Sequence, residues 1–582
     1  MKVSTLDWAL IFGFFAVFLL IGIAVAKRSG KNSKEFFLSG QNMPWWLLGI
    51  SMVATTFSAD TPNLVTDIVR QNGIAGNWVW WTFLITGMLT VFVYAKLWRR
   101  SKVLTDLEFY ELRYSGKEAA FLRGFRAIYL GVFFNVMIMA TVCLAAIKIG
   151  GILFGLEPWE SVVYASIITV LYSSLGGLRG VIYTDFLQFI IAMIGSVWAA
   201  IYIIDLPEIG GLGNLLAHEN VSDKLNFLPD FSDTQALWTL LIIPIAVQWW
   251  SVWYPGAEPG GGGYVAQRML SAKDEKNAVG ATLLFNIAHY AIRPWPWILI
   301  ALASLVLYPE LSDIAEQFPG AALGHDLGYP AMLTHLPPGL LGLVVTSLIA
   351  AFMSTISTHL NWGSSYISLD FYKRFYKPQA SEKELVRVGK LSTVVLMIIS
   401  ALLALKLESA LDAFNILLQI GAGTGLIFIL RWFWWRINAY SEITGMVVSF
   451  VVALVFEFSD LGLSSDIELV LGVGITTVCW LAVTLMTRPT DKSKLLSFYR
   501  QVTPYGKGWS AVRLMAAQEG NELPSSPDHS TKDMASWLLG IAFVYTFLFG
   551  SGYLLYGNWT GALILFGLSL LSGIGLYRAW KK

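Results

Sequence analysis

Runs of about 20 apolar residues recur from one end of this sequence to the other, and each is long enough to cross about 30 Å of hydrocarbon. Composition agrees: 55% of the 582 residues are hydrophobic and 14% charged, where a soluble chain carries roughly 25% charge. The sequence therefore reads as an all-α integral membrane protein. Length and flanking residues place about 15 spans. They fall at roughly 6–27, 44–70, 77–97, 124–154, 158–178, 181–204, 236–272, 277–307, 336–372, 388–406, 409–432, 440–458, 466–487, 535–556 and 558–579. The first is read as a retained span and not a signal peptide, because Lys27 and Arg28 follow the apolar run instead of leading it.

Loop charge supports that division. One set of loops carries Lys27, Arg28, Lys31 and Lys34, then Lys96 to Arg126, then Lys273 and Lys276, then Lys373 to Arg387, then Lys492 to Lys507. The alternate loops are acidic: 205–233 holds Asp205, Glu208, Glu219, Asp223, Asp230 and Asp233 against Lys224. By the positive-inside rule the N-terminus lies outside and the C-terminus in the cytoplasm, and a bacterial inner membrane is the expected location. The polar segment 488–534 is the one sizeable cytoplasmic stretch, too short for a catalytic domain and available to recruit a partner.

Two spans cannot be continuous helices. The second is interrupted by Ala54-Thr55-Thr56-Phe57-Ser58-Ala59-Asp60-Thr61-Pro62, and the seventh by Pro255, Gly256, Glu258, Pro259 and Gly260 to Gly263. Proline removes an amide and glycine adds backbone freedom, so neither stretch supports a regular helix. Irregular backbone at membrane depth survives only where it lines a protein or water-filled cavity. Each break opens a block of five spans, and an odd number of spans inverts the second block relative to the first. The layout is that of an inverted-repeat secondary transporter, with solute and ion held where the broken helices face each other.

At these residues the chain resembles the sodium/solute symporter family, which includes sodium/galactose, sodium/proline, sodium/sialic acid and sodium/glucose cotransporters. The resemblance spans about residues 1–490. It rests on Trp98-Arg99-Arg100 with Glu108 to Tyr114, on Tyr172 to Leu178 with Tyr183 to Gln188, on Gln267-Arg268 with Ala272-Lys273, and on Ala350 to Thr358 with Leu369 to Tyr372. It implies a leucine-transporter-like 5+5 inverted repeat with one extra N-terminal and about four extra C-terminal helices. The expected division is 1–43 (extra span and first loop), 44–204 (first repeat), 205–233 (external loop), 234–435 (second repeat), 436–487 (two extra spans), 488–534 (cytoplasmic loop) and 535–582 (two final spans). The implied activity is Na⁺-coupled import of a small organic solute, by a chain that works as a monomer in the lipid bilayer.

Na⁺ is a hard cation suited to carbonyl and hydroxyl oxygens. Ala351, Ser354, Thr355 and Thr358 fall at i, i+3, i+4 and i+7, one helical face. By resemblance the first ion would be held by Ala54, Phe57, Ala351, Ser354 and Thr355, and a second by Asp185, Ser354, Ser357 and Thr358, giving two Na⁺ per solute. Against this, Ser and Thr in membrane helices commonly bond back to the preceding turn, and Asp185 could be an interfacial residue reaching for water.

The solute site departs from that of sugar-carrying relatives, so the substrate does not carry over. The expected set is Asp60, Thr61, Trp78, Trp81, Glu258, Arg293 and Asn415. Arg293 must find a partner at its depth: Glu258 or Asp60 as structure, or an anionic group on the solute. The tryptophans could stack on a sugar, hold a cation, or belong to the interfacial belt. A sugar or polyol is the first expectation, an amino acid or carboxylated solute the second, and a transporter-derived sensor or channel the remoter alternative. An enzyme is not expected, since the six histidines are scattered and no metal or phosphate-loop motif occurs. Net charge +1 gives no basic excess for nucleic acid.

Overall fold

The computed structural model describes residues 4–252, 258–318, 324–407, 421–459, 462–520, 522–528 and 530–581. Among these every named element is helical, and one isolated parallel bridge joins Met43 to Ala272. Eleven helices are long and apolar enough to cross a membrane. The remaining expected spans include the shorter apolar helices Trp45–Thr56 and Pro158–Leu171 and the segmented stretch before Gly263. Residues 408–420, which include Asn415, lie outside the described residues.

The first helix, Thr5–Ser29 (α1), is almost uniformly apolar and shows Phe12, Leu20 and Ile23 outward, as a lipid-facing helix should. Its Asp7 is the exception. That carboxylate is buried and accepts from the amides of Gly339 and Gly342 at 2.7 Å each, capping a helix of the second repeat from outside it.

The expected first break is present. Trp45–Thr56 (α2) ends at Phe57, whose φ of −86° and ψ of 69° leave the helix. Thr61–Asn72 (α3) then restarts with Pro62 in its first turn, where a missing amide costs nothing. Pro158–Ile204 (α4) is two helices joined at Gly177, with φ 54° and ψ −163°. A side chain there would meet the Phe36 carbonyl at 2.8 Å, so only glycine fits.

The second break ends in Gly260 and Gly261, both with positive φ, and the chain re-forms a helix at Gly263–Ser271 (α5). Its C-terminal end is tied to the start of α2: Met43 donates to Ser271 at 3.2 Å and accepts from Lys273 at 3.1 Å. Glu275–Ile287 (α6) widens into a π turn before Pro294–Leu307 (α7). Pro294 has no amide, and the Arg293 amide reaches back five residues to Ala288 at 3.1 Å. That widening sets His289 and Arg293 on the face they occupy.

Leu340–Ser365 (α8) is the centre of the molecule: 89% of the apolar window in Leu340–Tyr376 is buried, against 17% for Trp559–Ala579. Lys492–Val502 (α9) and Ser510–Gln518 (α10) are short helices that precede the apolar Ser530–Leu555 (α11).

Candidate functional site: where the first broken helix meets α8, α4 and α5

The end of α2 unwinds against α8. Thr355 donates its hydroxyl to the Thr55 carbonyl at 2.8 Å and to Ala351 at 3.2 Å. The Ala54 carbonyl accepts from the Phe57 amide at 3.1 Å. Ala54, Phe57, Ala351, Ser354 and Thr355 are all buried, and the Thr355 hydroxyl spans the two elements expected to hold the first ion.

Ser354, beside it on the same face, reaches α4. Its hydroxyl donates to Asp185 at 2.6 Å, and Ser51 of α2 donates to the second carboxylate oxygen at 2.5 Å. Asp185 is wholly buried on α4, so it is not the interfacial residue that the sequence left as an alternative. The Arg268 guanidinium of α5 stands between Asp185 and Thr358, 3.6 Å from the carboxylate and 2.7 Å from the hydroxyl. Thr358 also lies 3.0 Å from the Thr55 hydroxyl, while Ser357 bonds back to Ser354 at 3.1 Å. The structure thus brings Asp185, Ser354 and Thr358 to one place, with Ser51, Thr55 and Arg268 that the sequence reading did not assign. Arg268 had a signal: a buried arginine just past the second break needs an acidic partner.

On the opposite side of the unwound turn, the Thr56 carbonyl accepts from the Arg293 guanidinium and, at 3.3 Å, from the Thr61 hydroxyl. The Thr56 hydroxyl lies 2.9 Å from His289. Arg293 also contacts His289 and lies over the Trp297 ring at 5.3 Å. Asp60 has a carboxylate oxygen without a hydrogen-bond partner and lies near enough to feel the Arg293 charge. Trp80 stacks on Tyr290 at 5.8 Å.

Three expected solute residues sit elsewhere or beyond reach of this group. Trp78 donates to the Phe227 carbonyl at 2.8 Å and packs on Tyr545; Trp81 packs on Phe549. Both turn toward α11 and the 205–233 segment, and Trp80 is the member of the cluster that reaches His289 and Tyr290. Glu258 forms a buried ion pair with Arg126, beside a cavity that also contacts Thr424, Phe428, Met446 and Ser449. It therefore pairs with neither Arg293 nor a group near Asp60. Asn415 lies outside the described residues.

Comparison with known proteins matches this architecture. The chain is 28% identical over 477 residues to the sodium/sialic acid symporter SiaT of Proteus mirabilis (strain HI4320), covering 78% of this chain and 90% of the relative. It is 26% identical over 468 residues to the sodium/glucose cotransporter of Vibrio parahaemolyticus, covering 77% and 84%. The fold superposes on a substrate-bound, outward-open Na⁺-coupled sialic acid symporter with a TM-score of 0.68 at 23% identity, over 84% of this chain and 100% of that one. The sodium:solute symporter family profile matches residues 36–449, and with its broken helices meeting a hydroxyl-rich α8, this chain belongs to the sodium:solute symporter family.

Proposed function

We propose that this Na⁺-coupled transporter imports a sugar or polyol with two Na⁺ per solute, by alternating access across a bacterial inner membrane, with its N-terminus outside. One observation carries the coupling: Thr55 and Thr56 offer consecutive peptide oxygens to opposite partners, the first to Thr355 and the second to Arg293. An ion that orders the first carbonyl orders the peptide unit beside it. Solute and Na⁺ then raise each other's affinity through shared backbone, as linkage requires. Neutral oxygens around Thr355 and a carboxylate at Asp185 suit a hard monovalent cation.

The test is purified protein in proteoliposomes, challenged with sugars, polyols, amino acids and organic acids with and without an inward Na⁺ gradient. Accumulation of a neutral polyhydroxylated solute only with the gradient is the expected result. Accumulation unaffected by Na⁺ would overturn the reading.

A second reading is uptake of a carboxylated solute, favoured because Arg293 has no carboxylate within ion-pairing distance among the described residues. Its contacts are the Thr56 carbonyl and hydroxyl and His289. Replacing it separates the two. Arg293→Met should raise the half-saturating concentration of a hydroxylated solute roughly 10-fold, the worth of one hydrogen bond to a charged group. For a carboxylated solute the loss should exceed about 100-fold, since an uncompensated buried charge remains. Unchanged uptake and affinity would remove Arg293 from the site in either version.

A further inference from the structure

α5 begins without a cap of its own. Gly262, the residue before its first turn, has no side chain to offer the free amides, and a side chain built there would run into the Glu258 carboxylate. The acceptor comes from elsewhere in the chain. Asp106, on the turn between Ser101 and Glu108, accepts from the Gly263 amide at 2.9 Å. Aspartate is among the best partners for a helix start, by hydrogen bond and by charge. Its other oxygen accepts from the Tyr366 hydroxyl, just past the end of α8, at 2.5 Å. Trp98 adds a second hold, donating its indole N–H to the Gly260 carbonyl at 2.8 Å.

Asp106 is itself buried. Burial and the neighbouring Glu258 carboxylate push its carboxyl up to about 6, against the pull of its two hydrogen bonds and the Arg126 charge, so the cap is ionised at neutral pH. The anchor acts at a distance because α5 is short and stiff. Gly263–Ser271 is nine residues, a rod of about 14 Å, and Arg268 lies within it. Its guanidinium stands 3.6 Å from Asp185 and 2.7 Å from the Thr358 hydroxyl, at the place proposed for the second Na⁺. A cation held this close competes with Na⁺ for the same carboxylate.

We propose that Asp106 is a positioning residue for the ion site: by capping α5 from outside that helix it holds Arg268 against Asp185 and Thr358, and so sets how strongly the chain's own guanidinium competes with Na⁺. This rests on the reading of Asp185 and Thr358 as ion ligands but not on the identity of the solute.

The test is a Na⁺ titration of the thermal stability of purified full-length protein at neutral pH, with choline replacing Na⁺ at constant ionic strength. Asp106→Ala should lower the half-stabilising Na⁺ concentration roughly fivefold, about the worth of one hydrogen bond. Tyr366→Phe removes only the hydroxyl that orients the carboxylate and should move it the same way. Asp106→Asn keeps an acceptor for the Gly263 amide and should stay closer to the parent than alanine does. Arg268→Gln, alone and with Asp106→Ala, separates positioning from folding: once the guanidinium is gone, removing the cap should change Na⁺ affinity no further. If Asp106→Ala and Tyr366→Phe need as much Na⁺ as the parent or more, or if the shift persists undiminished in Arg268→Gln, the proposal is wrong. A second readout needs no Na⁺. In a background with Cys143 and Cys479 replaced by serine, Ala266→Cys on the buried face of α5 should label at least about threefold faster with Asp106→Ala, as a loosened helix opens more often. A parent that Na⁺ does not stabilise would overturn the ion reading of Asp185 and leave the labelling to decide, and equal labelling would then overturn the cap.

Discussion

Thr355→Ala is expected to lower Na⁺ affinity roughly 10- to 100-fold, taking uptake at ordinary Na⁺ nearly to zero. Thr355 is buried on α8, and its hydroxyl is the one that reaches the unwound carbonyl of Thr55, at 2.8 Å. Removing it deletes the join between α2 and α8 and, in the proposed site, an oxygen ligand as well. A hydrogen bond or ligand to a charged group contributes about 1.5–3 kcal/mol, and each 1.4 kcal/mol is about tenfold in affinity. Thr355→Ser keeps the hydroxyl and should retain most transport. The measurement is initial uptake across a Na⁺ series for all three proteins. Alanine behaving like serine would show that the hydroxyl is only bonded back to Ala351, the ordinary habit of threonine in a membrane helix.

Asp185→Asn is expected to change the stoichiometry and not merely the rate. With two coupled ions and a neutral solute, the parent should show a Hill coefficient for Na⁺ above one and move two charges per solute. The variant should approach one on both measures while keeping part of its transport. Each coupled charge adds about 2.3 kcal/mol per 100 mV, so maximal accumulation should fall steeply at negative potential. The Arg268 guanidinium complicates the site, because it lies 3.6 Å from Asp185 and bonds Thr358. A Na⁺ entering there must displace it or share the carboxylate with it. If Asp185 serves only as the counter-charge of Arg268, the folded variant will keep the parent's Hill coefficient, and Asp185→Asn with Arg268→Gln will express better than Asp185→Asn alone. A parent charge ratio of one with a neutral solute would sink the second ion.

The breaks were legible because proline and glycine act on the backbone directly, and Pro62 in the first and Gly260 and Gly261 in the second declare them without reference to the fold. The hydroxyl face of α8 was legible for a similar reason: helical spacing alone sets Ser354, Thr355 and Thr358 together. What could not be read was partnership across the chain. Glu258 looked like a solute residue because it sits in a break, yet its partner Arg126 is 132 residues away. Trp78, Trp80 and Trp81 are adjacent in sequence, and only packing decides that Trp80 meets His289 while its neighbours meet Tyr545 and Phe549. Arg268 belongs to a sequence motif, but its place between Asp185 and Thr358 depends on how α5 leaves a break whose preceding residues, 253–257, lie outside the described residues.

The Asp7 cap has a consequence for synthesis. Asp7 and the Gly339 amide it accepts from are 332 residues apart, which at about 5–20 residues per second takes a ribosome roughly 20–60 s to bridge. In the folded chain Ser4 donates to one oxygen of Asp7, at 2.6 Å, and the other oxygen has its partners only once the Gly339–Gly342 segment has been made. α1 is thus locked late, closing over α8 only once that helix has arrived.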